Sequence, residues 1–529
     1  MKLIRTFVPL VVALGVNTMA FAHDADTQAG VVGKVSFPTS CDPKVQPAFA
    51  RAVAMLHSFW FNEGEKGFRE VLKADPQCAI ATWGVASILM YNPLQGQGAT
   101  AKGAEQAQAA IDEGRRIGAK TQRERDYIEA VAAYYKDFAT RPERERQVVR
   151  AQAFEALAQR YPADDEAQIF SALYTAGTQT QADQTYAAYL KAAGILEPQF
   201  QKHPDHPGVA HYLIHSYDAP PIAAKGVPAA KRYAGLAPAA PHALHMPSHI
   251  FTRVGFWQES SATNKRSMEV AAAGGDGDEA WHAADYMVYA YLQLARDAEA
   301  RKVMDETRYN PGPTPRFIAP YAMAAIPARF VVERGLWKEA AQLQTTPSSY
   351  PFVDAITHFS RSLGAARSGD IASAKKDAEQ LDAFHKTLFD AKNIYWATEV
   401  DVQRKGAAAW IQLAEGNTDE ALKLMRAAAD LEDRNEKHIV TPGRIVPARE
   451  LLGEMLLQLN QPEAALKEFE ASQVREPNRF RNYLGSAKAA DLAGDRAKAA
   501  AYYRKLVDLG KEADSDRPEL ATARRLASR

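Results

Sequence analysis

His211-Tyr-Leu-Ile-His215 and His245-Met-Pro-Ser-His249 are one pattern, H-x3-H, repeated 34 residues apart position for position. Pro204 and Pro238, and Pro207 and Pro241, keep the same interval. A 34-residue period is the length of one helix–turn–helix unit stacked in a row. Residues four apart on a helix lie on one face, a turn apart. Each pair therefore points one way, and stacking brings the two pairs side by side. Eight of the chain's 13 histidines fall between His203 and His282.

Outward from these segments the helical period scarcely stops, and no strand-like alternation interrupts it. A turn residue followed five places later by a small one marks close packing of two helices. It recurs at Gly255/Ser260, Ala295/Ala300, Gly335/Ala340, Gly369/Ala374, Gly416/Ala421, Asn460/Ala465 and Gly494/Ala499. Gly453, Ala465 and Phe469 have counterparts 34 residues on at Ala487, Ala499 and Tyr503. A first repeat is visible over 46–76, and residues 92–200 read as degenerate repeats with long insertions. The prediction is an all-α chain of stacked helix pairs.

With Asp75-Pro-Gln-Cys-Ala-Ile-Ala-Thr-Trp-Gly84, His211-Tyr-Leu-Ile-His-Ser-Tyr-Asp218 and His242-Ala-Leu-His-Met-Pro-Ser-His-Ile-Phe251, the chain resembles a tetratricopeptide repeat (TPR) protein. These segments are similar to an uncharacterised exported bacterial subgroup of that family. The resemblance implies a TPR-like α-solenoid, a right-handed superhelix with a concave groove that binds a partner. Tyr309-Asn-Pro-Gly-Pro-Thr-Pro-Arg316 ends one helix and forbids an immediate restart. The expected division is a solenoid over 35–307, a Pro-rich break at 308–320 and a second solenoid stretch over 321–529.

The N-terminus reads as a targeting signal. Lys2 and Arg5 precede an apolar run too short to span a bilayer, and Ala20-Phe21-Ala22 is a small-x-small cleavage site. A signal peptide over 1–22, a flexible lead over 23–34 and a periplasmic or secreted mature chain follow. No later stretch reaches the ~18 apolar residues of a membrane span. Removing the signal leaves 62 basic against 64 acidic residues, without the basic excess that nucleic acid or anionic membranes require. Export permits a disulfide between Cys41 and Cys78, with two buried free thiols as the other reading.

In solenoids of this kind the groove is lined from the first helix of each repeat, at places spaced three, four and three residues apart. The register puts Gly208, His211, His215 and Asp218 there, then His242, His245, His249 and Thr252, then His282, Asp285, Tyr289 and Leu292. Neutral imidazoles converging from rigid helices suit zinc, copper, iron or nickel. The candidate ligands are His211, His215, His245 and His249. Asp218, His242, His282 and Asp285 are additional ligands or acceptors for ring N–H groups. Gly208, Thr252, Tyr289 and Leu292 complete the expected groove. Pro247 lies inside the second pair, and if it opens a new helix the alignment of His245 with His249 is not guaranteed. No glutamate follows the first histidine of either pair, which excludes an H-E-x-x-H peptidase.

Two functional readings result. In the first, an exported TPR scaffold binds a protein, peptide or small ligand in the groove at about 208–292, with or without a transition metal. In the second, the histidines hold zinc, copper or iron in a metal-dependent enzyme or a metal-handling protein. Fold does not decide between them.

Overall fold

A computed structural model describes residues 30–94, 96, 98–310 and 316–527. The signal peptide and most of the lead lie outside them. Of residues 30–34, Val32 is buried and the Lys34 N–H donates to the Asp205 carbonyl, while Gly30, Val31 and the Lys34 side chain are exposed.

The described residues are all-α, and consecutive helices pack in pairs. Pro207–Ser216 pairs with Val227–Leu236, Pro247–Val254 with Trp257–Ala273, and Gly277–Gln293 with Asp297–Glu306. The first helix of a pair is the buried one: every residue of Pro207–Ser216 and of Gly277–Gln293 is buried, whereas Asp297–Glu306 buries only two. The sequence period anticipates this, because a helix covered on both sides carries apolar residues all round.

All seven predicted turn residues, from Gly255 to Gly494, have positive φ, including Ala295 and Asn460 at 56°. The left-handed turn reverses the chain tightly, and the small residue five places on, from Ser260 to Ala499, is buried where the paired helices touch. Phe68 and Phe469 lock two distant repeats in the same way. A Cβ on Gly84 would lie 2.4 Å from the Phe68 ring, and one on Gly485 would lie 2.3 Å from the Phe469 ring.

The apolar core forms two main bodies, one from Phe37 to Phe251 and the other from Trp281 to Ala523. The histidine-bearing segments lie where they meet. Cys41 and Cys78 are joined by a disulfide. The Pro-rich stretch links Asp297–Glu306 to Ile318–Glu333, and the second core body extends across it.

The C-terminal half returns to the histidine region. Trp257 Nε1 donates to the Asn478 carbonyl, the Phe480 N–H to Gln293, and Arg517 pairs with Asp297. The segment 434–447, which is not helical, is largely buried against the first half. Tyr186 donates to Glu436, the Glu436 N–H reaches the Gln181 carbonyl, and Arg329 holds the Gly443 and Arg444 carbonyls.

Candidate metal centre

Six histidines from three successive repeats meet in two triads. His211, His215 and His242 form one and His245, His249 and His282 the other; within each, ligating atoms lie within 4.8 Å of one another. Rings of different triads approach closely too, His215 and His249 at 6.0 Å and His242 and His245 at 6.3 Å between centroids.

The backbone explains the alignment. Pro207 opens the first histidine helix, where its missing N–H costs nothing. In the second segment, helix Pro241–His245 ends and Pro247–Val254 begins. Met246 joins them at φ −52° and ψ −37°, which is helical, so His245 stays in register with His249 across the proline. The Ser248 hydroxyl donates to the His245 carbonyl, and the His249 N–H goes to Met246.

Hydrogen bonds behind the rings fix the tautomers. His211 Nδ1 donates to the His57 carbonyl at 2.7 Å. His245 Nδ1 donates to Asn264 Oδ1 at 2.6 Å, and Asn264 Nδ2 donates to the Ser260 carbonyl, which settles the amide's orientation. His249 Nδ1 donates to Asp218 Oδ2 at 2.9 Å. With Nδ1 protonated, a neutral ring presents a bare lone pair at Nε2. Yet His245 Nε2 and His249 Nε2 stand 3.0 Å apart; His211 Nε2 and His215 Nε2 stand 3.1 Å apart, and there His215, whose buried Nδ1 has no partner, can donate from Nε2. Two nitrogens bound to one ion at ~2.0–2.1 Å are about 2.9–3.4 Å apart for angles between 90° and tetrahedral.

A shared proton is the competing way to relieve two facing lone pairs. Burial opposes it, pushing the pKa of all six imidazoles down, and five of them well down. Asp218, which would balance an imidazolium at His249, already faces Arg253 Nε at 2.8 Å and Lys437 Nζ at 3.8 Å. The donor set fits a metal: neutral imidazoles, oriented by oxygens behind them, with lone pairs converging. His242 Nε2 is buried without a hydrogen-bond partner.

Several expected roles differ. Asp285 does not approach the rings; it forms a buried pair with Arg329 at 2.7 Å. Gly208, Thr252, Tyr289 and Leu292 do not line an open groove. Gly208 packs on the His57 ring, Thr252 bonds Ser260, Tyr289 reaches Glu476 and Arg479, and the Leu292 carbonyl accepts from Arg517. Segment 434–447 and the returning C-terminal repeats cover Tyr289 and Leu292, whereas Gly208 and Thr252 are buried against neighbouring helices of the first half.

Asn264, Tyr286, Arg253 and Lys437 also take part without having been expected from the sequence, and His57, Glu166, His206 and Tyr212 form a separate network. In that network Glu166 accepts from both histidines at 2.9 Å, Tyr212 bonds His57 Nδ1, and His206 Nδ1 accepts the Val209 N–H. Every ring nitrogen there has a protein partner, so it needs no ion. No periodic signal marks any of these residues; only the two-proline loop around His206 hinted at a special local structure.

No protein-family model matches this chain, and no curated protein matches it. Among solved structures, a tetratricopeptide repeat protein from Parabacteroides merdae is 10% identical, with 77% of this chain and 100% of that one covered, at a TM-score of 0.24. The Cut9–Hcn1 hetero-tetramer of the APC/C is 11% identical, with 92% and 89% covered, at 0.31. At those scores neither likeness carries an argument about fold or function.

Proposed function

We propose that this chain is a metalloprotein in which the two histidine triads each hold a transition-metal ion inside a helical-repeat frame. One observation carries the reading: the His245 and His249 lone pairs face each other at 3.0 Å while their other nitrogens donate to Asn264 and Asp218. Three protein ligands leave an open position on an ion, the arrangement of reactive rather than purely structural zinc sites. An all-imidazole set suits zinc, copper or iron. Segment 434–447 packs on Asp218, Arg253 and Tyr289, which favours the metal reading over groove binding. The Cys41–Cys78 bridge supports an oxidising compartment, in line with export.

The test is elemental analysis of the mature protein, purified without a histidine tag or chelator, beside His211→Ala/His215→Ala and His245→Ala/His249→Ala double variants. Up to two ions per chain are expected, with each folded double variant losing its own. A parent that holds no metal after incubation with zinc, copper, iron and nickel salts and desalting overturns the proposal.

A further inference from the structure

The two triads differ in what surrounds them. Phe59 covers the first, its ring centroid 4.4 Å from that of His211 and 5.4 Å from that of His242. It sits there at φ 52°, a left-handed conformation unusual for a bulky residue and found where a site demands it. Nothing in that covering ring can donate or accept a hydrogen bond.

The second triad is flanked by two buried donors. The Tyr286 hydroxyl and the Lys437 ammonium have no hydrogen-bond partner. The Tyr286 ring stands 4.7 Å from His245 and 5.4 Å from both His249 and His282, and the residue follows His282 by one turn on helix Gly277–Gln293. Lys437 exposes 3% of its side chain, and its closest carboxylate oxygen, on Asp218, is 3.8 Å away, beyond hydrogen-bond reach. Asp218 bonds His249 Nδ1 through its other oxygen, which places the ammonium one carboxylate away from that ring. Buried donors left without a hydrogen bond are rare and costly, and call for a ligand. Lys437 belongs to segment 434–447, so this half of the site is complete only when that segment is seated.

We propose that the second triad is the reactive one, and that its metal takes a small hydrogen-bond-accepting anion as exogenous ligand, held by hydrogen bonds from Lys437 and Tyr286. This rests on the metal reading above. The first triad, under Phe59, has the unpartnered Tyr233 hydroxyl, on a ring stacked 5.0 Å from His211, but no cation, and serves as the closed partner site.

The experiment uses the full mature protein loaded with copper(II), with azide as the probe anion, read by its ligand-to-metal charge-transfer absorption. Lys437→Met and Tyr286→Phe are compared with the parent, and copper content is measured in every sample. Loss of a charge-assisted bond should weaken azide binding about tenfold or more in K437M, and loss of a neutral one a few-fold in Y286F, with copper retained. Parent-like azide affinity in both copper-loaded variants overturns the proposal and leaves the metal reading standing, as does a copper-loaded parent that gives no azide band. A parent that retains no copper or other metal removes both.

Discussion

Asp218→Asn tests the metal reading and the packing argument in one substitution. The Asp218 side chain is fully buried and serves three groups: His249 Nδ1 at 2.9 Å, Arg253 Nε at 2.8 Å and Lys437 Nζ at 3.8 Å. Burial alone would push its carboxyl up, but Lys437, Arg253 and His249 outweigh that and hold it far below the ordinary carboxylate range. Asparagine keeps the shape and one acceptor oxygen and removes the charge. Removing one partner of a buried ion pair costs about 3–5 kcal/mol. Arg253 keeps Glu436 at 3.5 Å, so the lower end, about 3 kcal/mol, is expected for the metal-free protein.

The second effect acts on the site. Without a carboxylate behind it, His249 loses basicity and orientation, and such losses lower metal affinity about 10–100-fold. Urea unfolding of the metal-free protein reads the first effect, and competition against a chromophoric chelator reads the second. Lost stability with parent-like chelator competition would make Asp218 an ion-pair residue only. Unchanged stability would refute the account of the buried charge cluster.

Two other outcomes follow from the fold. Cys41→Ser/Cys78→Ser opens a loop with a sequence separation of 37; in the chain-entropy account this costs about 4 kcal/mol, read as a lower midpoint in urea, and a parent-like midpoint would contradict it. Glu432, driven up to about 8 by burial, accepts from the Ala448 N–H and lies 3.4 Å from Arg444. Its folded value lies above its unfolded one, so its contribution is whole below about pH 4.5 and is lost as pH rises through about 8. Glu432→Gln should therefore flatten the fall in stability between those limits, on the order of a few kcal/mol, and an unaltered pH–stability curve would rule that out.

The 34-residue interval made both the helix pairs and the histidine alignment legible, because a repeat that packs on its own copy must repeat its inner face. His211/His215 and His245/His249 came from that rule; the turns at Gly255 and its six counterparts came from a turn residue followed five places later by a small one. The rule speaks only of neighbouring repeats. It is silent on segment 434–447, which reaches the site from the far half and turns an expected groove into an interior. Asp285 was placed on the right helix, but the closest cation, Arg329, came from a repeat whose register gave no warning. Asn264 lies on the second helix of its pair, outside the positions from which the site was sought. Pro247 raised a fair objection, answered by Met246 keeping helical φ and ψ.

The segment at 241–254 is where the two triads become one device. His242 belongs to the first triad and His245 and His249 to the second, so a single stretch of chain holds ligands of both. Any shift of this stretch relative to helix Pro207–Ser216 opens the first triad, and any shift relative to Gly277–Gln293 opens the second. Ala243, Met246, Ile250 and Phe251 of this stretch belong to the Phe37–Phe251 core, so metal bound in the second triad, with His282 on Gly277–Gln293, would tie that core to the Trp281–Ala523 core. Six buried neutral imidazoles are otherwise a poor layer to place there: they bury less apolar surface than leucines of similar size and bring nitrogens that must each be satisfied. Asn264, Asp218 and the His57 carbonyl satisfy three of the Nδ1 groups. The His245 and His249 Nε2 atoms are left facing each other with lone pairs, and an ion is the partner that satisfies them without an added proton.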